Sequence, residues 1–152
     1  MAQRPLIRLL PVLLIAALAA LAALAAVPAA AQTGAARTYV TSDCNGAAFK
    51  PRSIVLTCGD AGLVATKLQW TNWGAKRAAG AGLGKEKVCM PDCAAGRVAK
   101  GAMKVVLSRP RLCSQDGKRH FTKIHYSWPG GAPGEGPKQG NIPLPCTLLS
   151  SY

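Results

Sequence analysis

Residues 97–109 read RVAKGAMKVVLSR, and their order decides the class of fold. Ala99, Gly101, Met103, Val105 and Leu107 fall on one side of an extended chain, with Lys100 and Lys104 on the other. A period of two belongs to a half-buried strand, because successive side chains leave a strand on opposite faces. A helix needs apolar residues three and four positions apart, and no stretch after Thr38 sustains that spacing.

The same alternation spreads outward. In residues 119–128, RHFTKIHYSW, Ile124, Tyr126 and Trp128 oppose Lys123 and His125, while Phe121 breaks the order. The intervening Ser114–Lys118 is a hairpin turn centred on Asp116-Gly117. In residues 63–70, LVATKLQW, the expected inner face is Val64, Thr66, Leu68 and Trp70, with Lys67 and Gln69 outside. Residues 38–43 and 53–58 are rich in β-branched side chains and flank a turn-forming segment from Asn45-Gly46 to Pro51. Residues 74–84, GAKRAAGAGLG, place small residues at Ala78, Gly80, Gly82 and Gly84. That pattern suits either a strand passing beneath a bulky group such as Trp70 or Trp73, or a flexible loop. The Pro/Gly-dense stretch 129–146 forms no regular element and is expected to be tied back through Cys146. Six or seven short strands without a helix predict an all-β fold: an antiparallel β-sandwich or small barrel, stapled by disulfides.

The N-terminus is of another kind. Arg4 and Arg8 precede a long Leu/Ala run that ends in Ala29-Ala30-Ala31, the pattern of an export signal. Residues 1–31 are therefore expected to be a signal peptide cleaved before Gln32, leaving one secreted β domain over 32–152 and no stable membrane anchor. The arginines are not adjacent, so the signal is of the general secretory type. The predicted domain, about 120 residues long, suits a single modest core.

All six cysteines, Cys44, Cys58, Cys89, Cys93, Cys113 and Cys146, lie in the predicted domain. Export brings them into an oxidising compartment where thiols pair. The sequence does not choose among the possible pairings. The working set is Cys44–Cys58, Cys89–Cys93 and Cys113–Cys146, with Cys89 and Cys93 either closing on each other or pinning their turn to neighbours.

Zinc is disfavoured at Cys89 and Cys93, because the other cysteines are singletons and the only histidines, His120 and His125, are five apart on a strand. A redox pair would have a two-residue spacer at a helix start, whereas the spacer here has three residues including Pro91. No metal and no cofactor is expected. For hydrolysis, two histidines and six scattered acids leave few combinations, with His120 or His125 as the base of that alternative.

Without Arg4 and Arg8, 17 of the 19 Lys/Arg remain against all six acids, a net charge of +11. Such a surface attracts polyanions. Lys67, Lys100, Lys104, Lys123 and His125 sit on the polar side of predicted strands and form one cationic sheet face if those strands are neighbours. Arg109, Arg111, Lys118 and Arg119 add charge around the hairpin. Trp70 is expected in the core and Trp73 partly exposed.

Three motifs in order, Leu56-Thr57-Cys58-Gly59-Asp60, Trp70-Thr71-Asn72-Trp73-Gly74 and Cys89-Met90-Pro91-Asp92-Cys93-Ala94-Ala95-Gly96, resemble those of a group of small secreted actinobacterial proteins. That group shows Leu-x-Cys-x-Asp, Trp-x-x-Trp-Gly and Cys-x-Pro-x-Cys-Ala-x-Gly. The resemblance spans Ser53 to Trp128 and implies export and a disulfide-stapled extracellular domain. It carries over no catalytic residue. After Gly96 the group often has aromatic or histidine residues where Arg97-Val98-Ala99-Lys100 stands here, so a ligand site held at those positions would be lacking.

The expected function is therefore a non-enzymatic binding module for an anionic cell-wall polymer or acidic glycan, with no specific nucleic-acid partner. A small wall-directed hydrolase and a secreted effector with a protein partner are the alternatives.

Overall fold

The computed structural model describes residues 37–146. The expected signal peptide, 1–31, and its cleavage point lie outside the described residues. Eight strands follow in order: β1 (Thr38–Thr41), β2 (Ala47–Ala48), β3 (Ser53–Val55), β4 (Leu63–Trp73), β5 (Ala78–Val88), β6 (Arg97–Leu112), β7 (Arg119–Ser127) and β8 (Gln139–Pro143). They form one sheet in the order β2-β1-β7-β6-β5-β4-β3, with β8 added to β7.

The sheet curls into a half-barrel, because its β3–β4 end is drawn back to β1. Val55 N–H donates to Ser42 O at 2.8 Å, Trp73 Nε1–H to Thr38 O at 3.0 Å and Thr38 Oγ1–H to Ala75 O at 3.0 Å. A second sheet packed on the first, as a sandwich requires, is not found among the described residues. The pairing also departs from the antiparallel expectation at one place. β1 runs parallel to β7, with Thr38 opposite Arg119 and Tyr39 opposite His120, while β8 takes the rest of that edge. A long intervening chain makes this parallel pairing possible.

β6 keeps the alternation of its sequence. Ala99, Met103, Val105 and Leu107 are buried, and Lys100 and Lys104 are exposed. β4 does not, for a physical reason. The register breaks between Thr66 and Gln69, and Lys67 has φ 53°. This bulge inserts a residue and shifts the phase of the strand. Ala65 and Leu68 are therefore the buried pair, and Val64 and Thr66, expected inside, are only half-buried. A second break between Trp70 and Asn72 brings Trp73 to the same side as Trp70, their rings perpendicular at 4.5 Å.

The small-residue run is a strand, and its glycines make room for its neighbours. A Cβ at Gly82 would strike Thr66 O beneath the first bulge, and one at Gly80 would lie 2.9 Å from Trp70 Cε3. A Cβ at Gly84 would enter the Trp128 ring and lie 2.5 Å from Met103 Cε. The space freed on β5 is taken by Trp70, Met103, Trp128 and the backbone of Leu68, and Leu68, Met103 and Trp128 belong to one continuous core with Val105, Leu107, Phe121, Ile124 and Tyr126. Each large apolar side chain buried there contributes about 1.5–3 kcal/mol.

Three disulfides close the loops around this core: Cys44–Cys58, Cys89–Cys93 and Cys113–Cys146, with Cα separations of 5.7, 4.1 and 5.4 Å. Their loops span 14, 4 and 33 residues. Chain entropy alone makes them worth about 3, 2 and 4 kcal/mol respectively. In the shortest, Asp92 Oδ1 accepts N–H bonds from Ala94 and Ala95, both at 2.8 Å, so the stapled turn between β5 and β6 is also an Asx turn.

Gly84→Ala should cost about 1–3 kcal/mol in chemical denaturation, since Trp128 must shift. Gly59→Ala, where an added Cβ meets nothing within 4 Å, should change stability by less than about 1 kcal/mol.

Candidate functional site

Four of the acids are consumed by turns. Asp43 Oδ1 accepts N–H bonds from Gly46 (2.6 Å) and Asn45 (3.1 Å), and Asp60 Oδ1 accepts one from Gly62 at 2.8 Å. Asp92 does the same, as above, and Asp116 Oδ1 accepts from Lys118 N–H at 2.9 Å. The Gly46 and Asn45 amides favour the ionised form of Asp43 and hold it below the ordinary carboxylate value. Of the remaining two acids, Glu135 lies in the loop between β7 and β8, and Glu86 points to the concave side with the inward residues of β5. The convex face of the sheet is left without a carboxylate.

Cations occupy that face. Lys100 and Lys104 are exposed on β6, and Lys123 and His125 are half-buried on β7. Lys67 is exposed at the β4 bulge. Lys85, not singled out from the sequence, stands directly opposite Lys100. The predicted residues do not converge on a single point. Lys123 pairs with Ser108, which places Lys104 about 13 Å further along β6. Lys67 lies two strands away from β6.

A pocket does form around Lys123. A cleft of ≈ 220 Å³ is lined by Arg109, Arg111, Thr122, Lys123, Asn141, Ile142 and Pro143. Strict alternation would send Arg109 and Arg111 inward with Leu107. Instead Arg109 adopts φ 54°, its carbonyl accepts Thr122 Oγ1–H at 2.7 Å, and both arginines are exposed. The phase breaks across both strands here, which is why Phe121 is buried out of step with Ile124 and Tyr126. His125 lies beside the cleft, opposite Asn141. Among the described residues, no lysine or arginine forms an ion pair; the single one is between His120 and Asp116.

That pair has the chemistry of a base but not its access. His120 Nε2 lies 2.8 Å from Asp116 Oδ2, and its Nδ1 is 3.5 Å from Thr41 Oγ1. His120 is 0% exposed, and Thr41 gives its hydroxyl proton to Pro145 O at 2.9 Å. The line Asp116–His120–Thr41–Pro145 therefore pins the hairpin, β7, β1 and the C-terminal segment together. His125, on the outer face, has no carboxylate partner among the described residues.

The tryptophans are committed as well. Trp70 Nε1–H donates to Pro51 O at 2.8 Å and Trp73 Nε1–H to Thr38 O. Trp73 is half-buried between Phe49, Trp70 and Phe121.

Burial alone would raise the Asp116 carboxyl, but the Lys118 N–H, the His120 ring and the nearby positive charge hold it below the ordinary value of 3.8. The ionised form is thus favoured by folding, and its contribution is complete above an unfolded-state value of about 4. It is lost as pH falls through the lower folded value. The thermal midpoint should fall on acidification below about pH 4, and Asp116→Asn should flatten that limb. Superimposable acid limbs for the two proteins would show that the pair does not couple to stability.

The chain matches no protein-family model, no curated protein and no solved structure, so its candidate site stands on its own geometry.

Proposed function

We propose that the protein is an exported, non-enzymatic binding module whose convex sheet face holds an anionic cell-wall polymer or acidic glycan. The observation that carries this is the segregation of charge: lysines and arginines without ion-pair partners on a face from which every carboxylate is absent. Lys85 and Lys100 stand directly opposite each other, an arrangement that weakens a sheet unless an anion lies between them. The Arg109–Arg111–Lys123 cleft supplies a docking point, because guanidinium groups match the oxygens of phosphate and carboxylate two at a time. Lys67, Lys100, Lys104 and His125 extend the field along the sheet, where they lengthen contact with a chain-like ligand.

Export through the signal expected in 1–31, with cleavage before Gln32, belongs to the same proposal. Three disulfides are compatible with it, and the resemblance to secreted actinobacterial proteins points the same way. The hydrolase alternative lacks an accessible base in His120. For a protein partner, the exposed large apolar residues are Phe49, Met90, Val98 and Leu112, and because Val98 and Leu112 stand at opposite ends of β6 the four do not form one patch.

Retention on heparin and on isolated envelope fractions, followed across a salt titration, tests the proposal. Binding should be lost at moderate salt, as screening shortens the reach of the charges. Charge reversal at Arg109, Arg111 and Lys123 should lower affinity by about tenfold or more at low salt, and reversal at Lys67, Lys100 and Lys104 should do so to a smaller extent. Unchanged retention in both variants would overturn the assignment.

A further inference from the structure

Beyond Gly84, the inward face of β5 carries a carboxylate. Glu86 lies in the same register as Gly84 and Val88, both buried, and its side chain meets the loop between β7 and β8. One oxygen, Oε1, accepts the Gly136 N–H at 2.7 Å. The other, Oε2, is shielded and has no hydrogen-bond partner. The loop is shaped around this group: a Cβ at Gly134 would lie 2.8 Å from Oε2, and one at Gly136 would collide with Oε1.

Beside Glu86 is a cleft of ≈ 240 Å³, lined also by Thr57, Asp60, Leu63, Lys87, Tyr126 and Trp128. Its aromatic walls are perpendicular, with centroids 6.5 Å apart. The Tyr126 phenol is pushed above its ordinary value, first by burial and then by the charge of Glu86. Asp60, at the same cleft, has the Gly62 N–H and the nearby charge of Lys87 to offset it. Glu86 has no ion-pair partner among the described residues. A buried carboxylate oxygen left without a donor is costly, because it has given up water and gained nothing in return.

We propose that this cleft binds a small organic cation, a primary ammonium group that donates N–H bonds to Glu86 and packs its carbon chain against Tyr126 and Trp128. One carboxylate with two aromatic walls recognises an alkylammonium through charge, hydrogen bonding and cation–π attraction together. A hard divalent ion would need more oxygen ligands than the cleft gathers. The site takes the opposite charge from the convex face and does not rest on the function proposed for that face.

The test is an amide NMR titration of the oxidised protein with n-butylammonium chloride. Potassium chloride and n-butanol serve as comparators for ionic strength and for the alkyl chain. The expected result is saturable shifts at Gly62, Leu63, Glu86 and Gly136, absent with either comparator and at least about tenfold weaker with tetramethylammonium, which has no N–H to give. Glu86→Gln retains an acceptor for Gly136 and should weaken n-butylammonium by at least about tenfold. Binding of Nα-acetyl-lysine amide as tight as that of n-butylammonium would support the site and make a lysine side chain its source. Its exclusion while n-butylammonium binds would support the site and make a free amine the source. Shifts that never saturate, n-butanol matching n-butylammonium, or unchanged affinity in Glu86→Gln would each overturn the proposal, and the first two need no variant.

Discussion

The half-barrel depends on one strand giving up its side chains. Where β5 passes the middle of the sheet it presents Gly80, Gly82 and Gly84 inward, and three neighbours lean into the space: Trp70, the β4 bulge at Lys67–Leu68, and Trp128. The bulge strengthens the local twist, and the absent Cβ atoms let the curled strands approach without a void. Trp73 can then reach Thr38, and β3 can reach the segment that follows β1. Close packing of this kind rewards fit over bulk, since protein interiors tolerate neither gaps nor overlap.

Curling also separates the two charge environments. On the convex side, lysines project into solvent. On the concave side, a single carboxylate is surrounded by aromatic rings and a glycine loop. The turns are where the remaining acids are used, because an aspartate accepting its own turn's amides needs no cation to hold it. Four tight turns built in this way remove four carboxylates that could otherwise have neutralised the lysines of the face.

Much of this was legible in the order of residues, within limits that have physical causes. β6 shows its alternation because β5 pairs with it in unbroken register from Arg97 to Leu107, before the left-handed residue at Arg109 disturbs the phase. β4 hid its inner face, because a bulge at Lys67 leaves no mark in a pattern of apolar and polar letters. Arg109 and Arg111 could be noted as extra charge near the hairpin, yet their role as walls of a cleft depends on a left-handed residue at Arg109, and arginine gives no sign of that. Phe121, in contrast, was out of step in the sequence itself, and its misfit marks the same phase break. The parallel β1–β7 pair was invisible because it joins segments about eighty residues apart with no local signature. Glu86 was within reach. It continues the period of two that runs Ala78, Gly80, Gly82, Gly84, and extending that count by two residues places a carboxylate inside.

The edge of β7 accepts both the first and the last of the described strands. β1 pairs at Arg119–His120 and β8 at Lys123–Ser127, and Thr41 touches Pro145 through a 2.9 Å hydrogen bond. The two ends of the fold therefore meet, with Cys113–Cys146 holding one of them in place. A domain whose ends meet can be cut open elsewhere and rejoined, or set into an exposed loop of another protein, with a connection of only a few residues. The geometry of one sheet edge thus makes this fold portable as a unit.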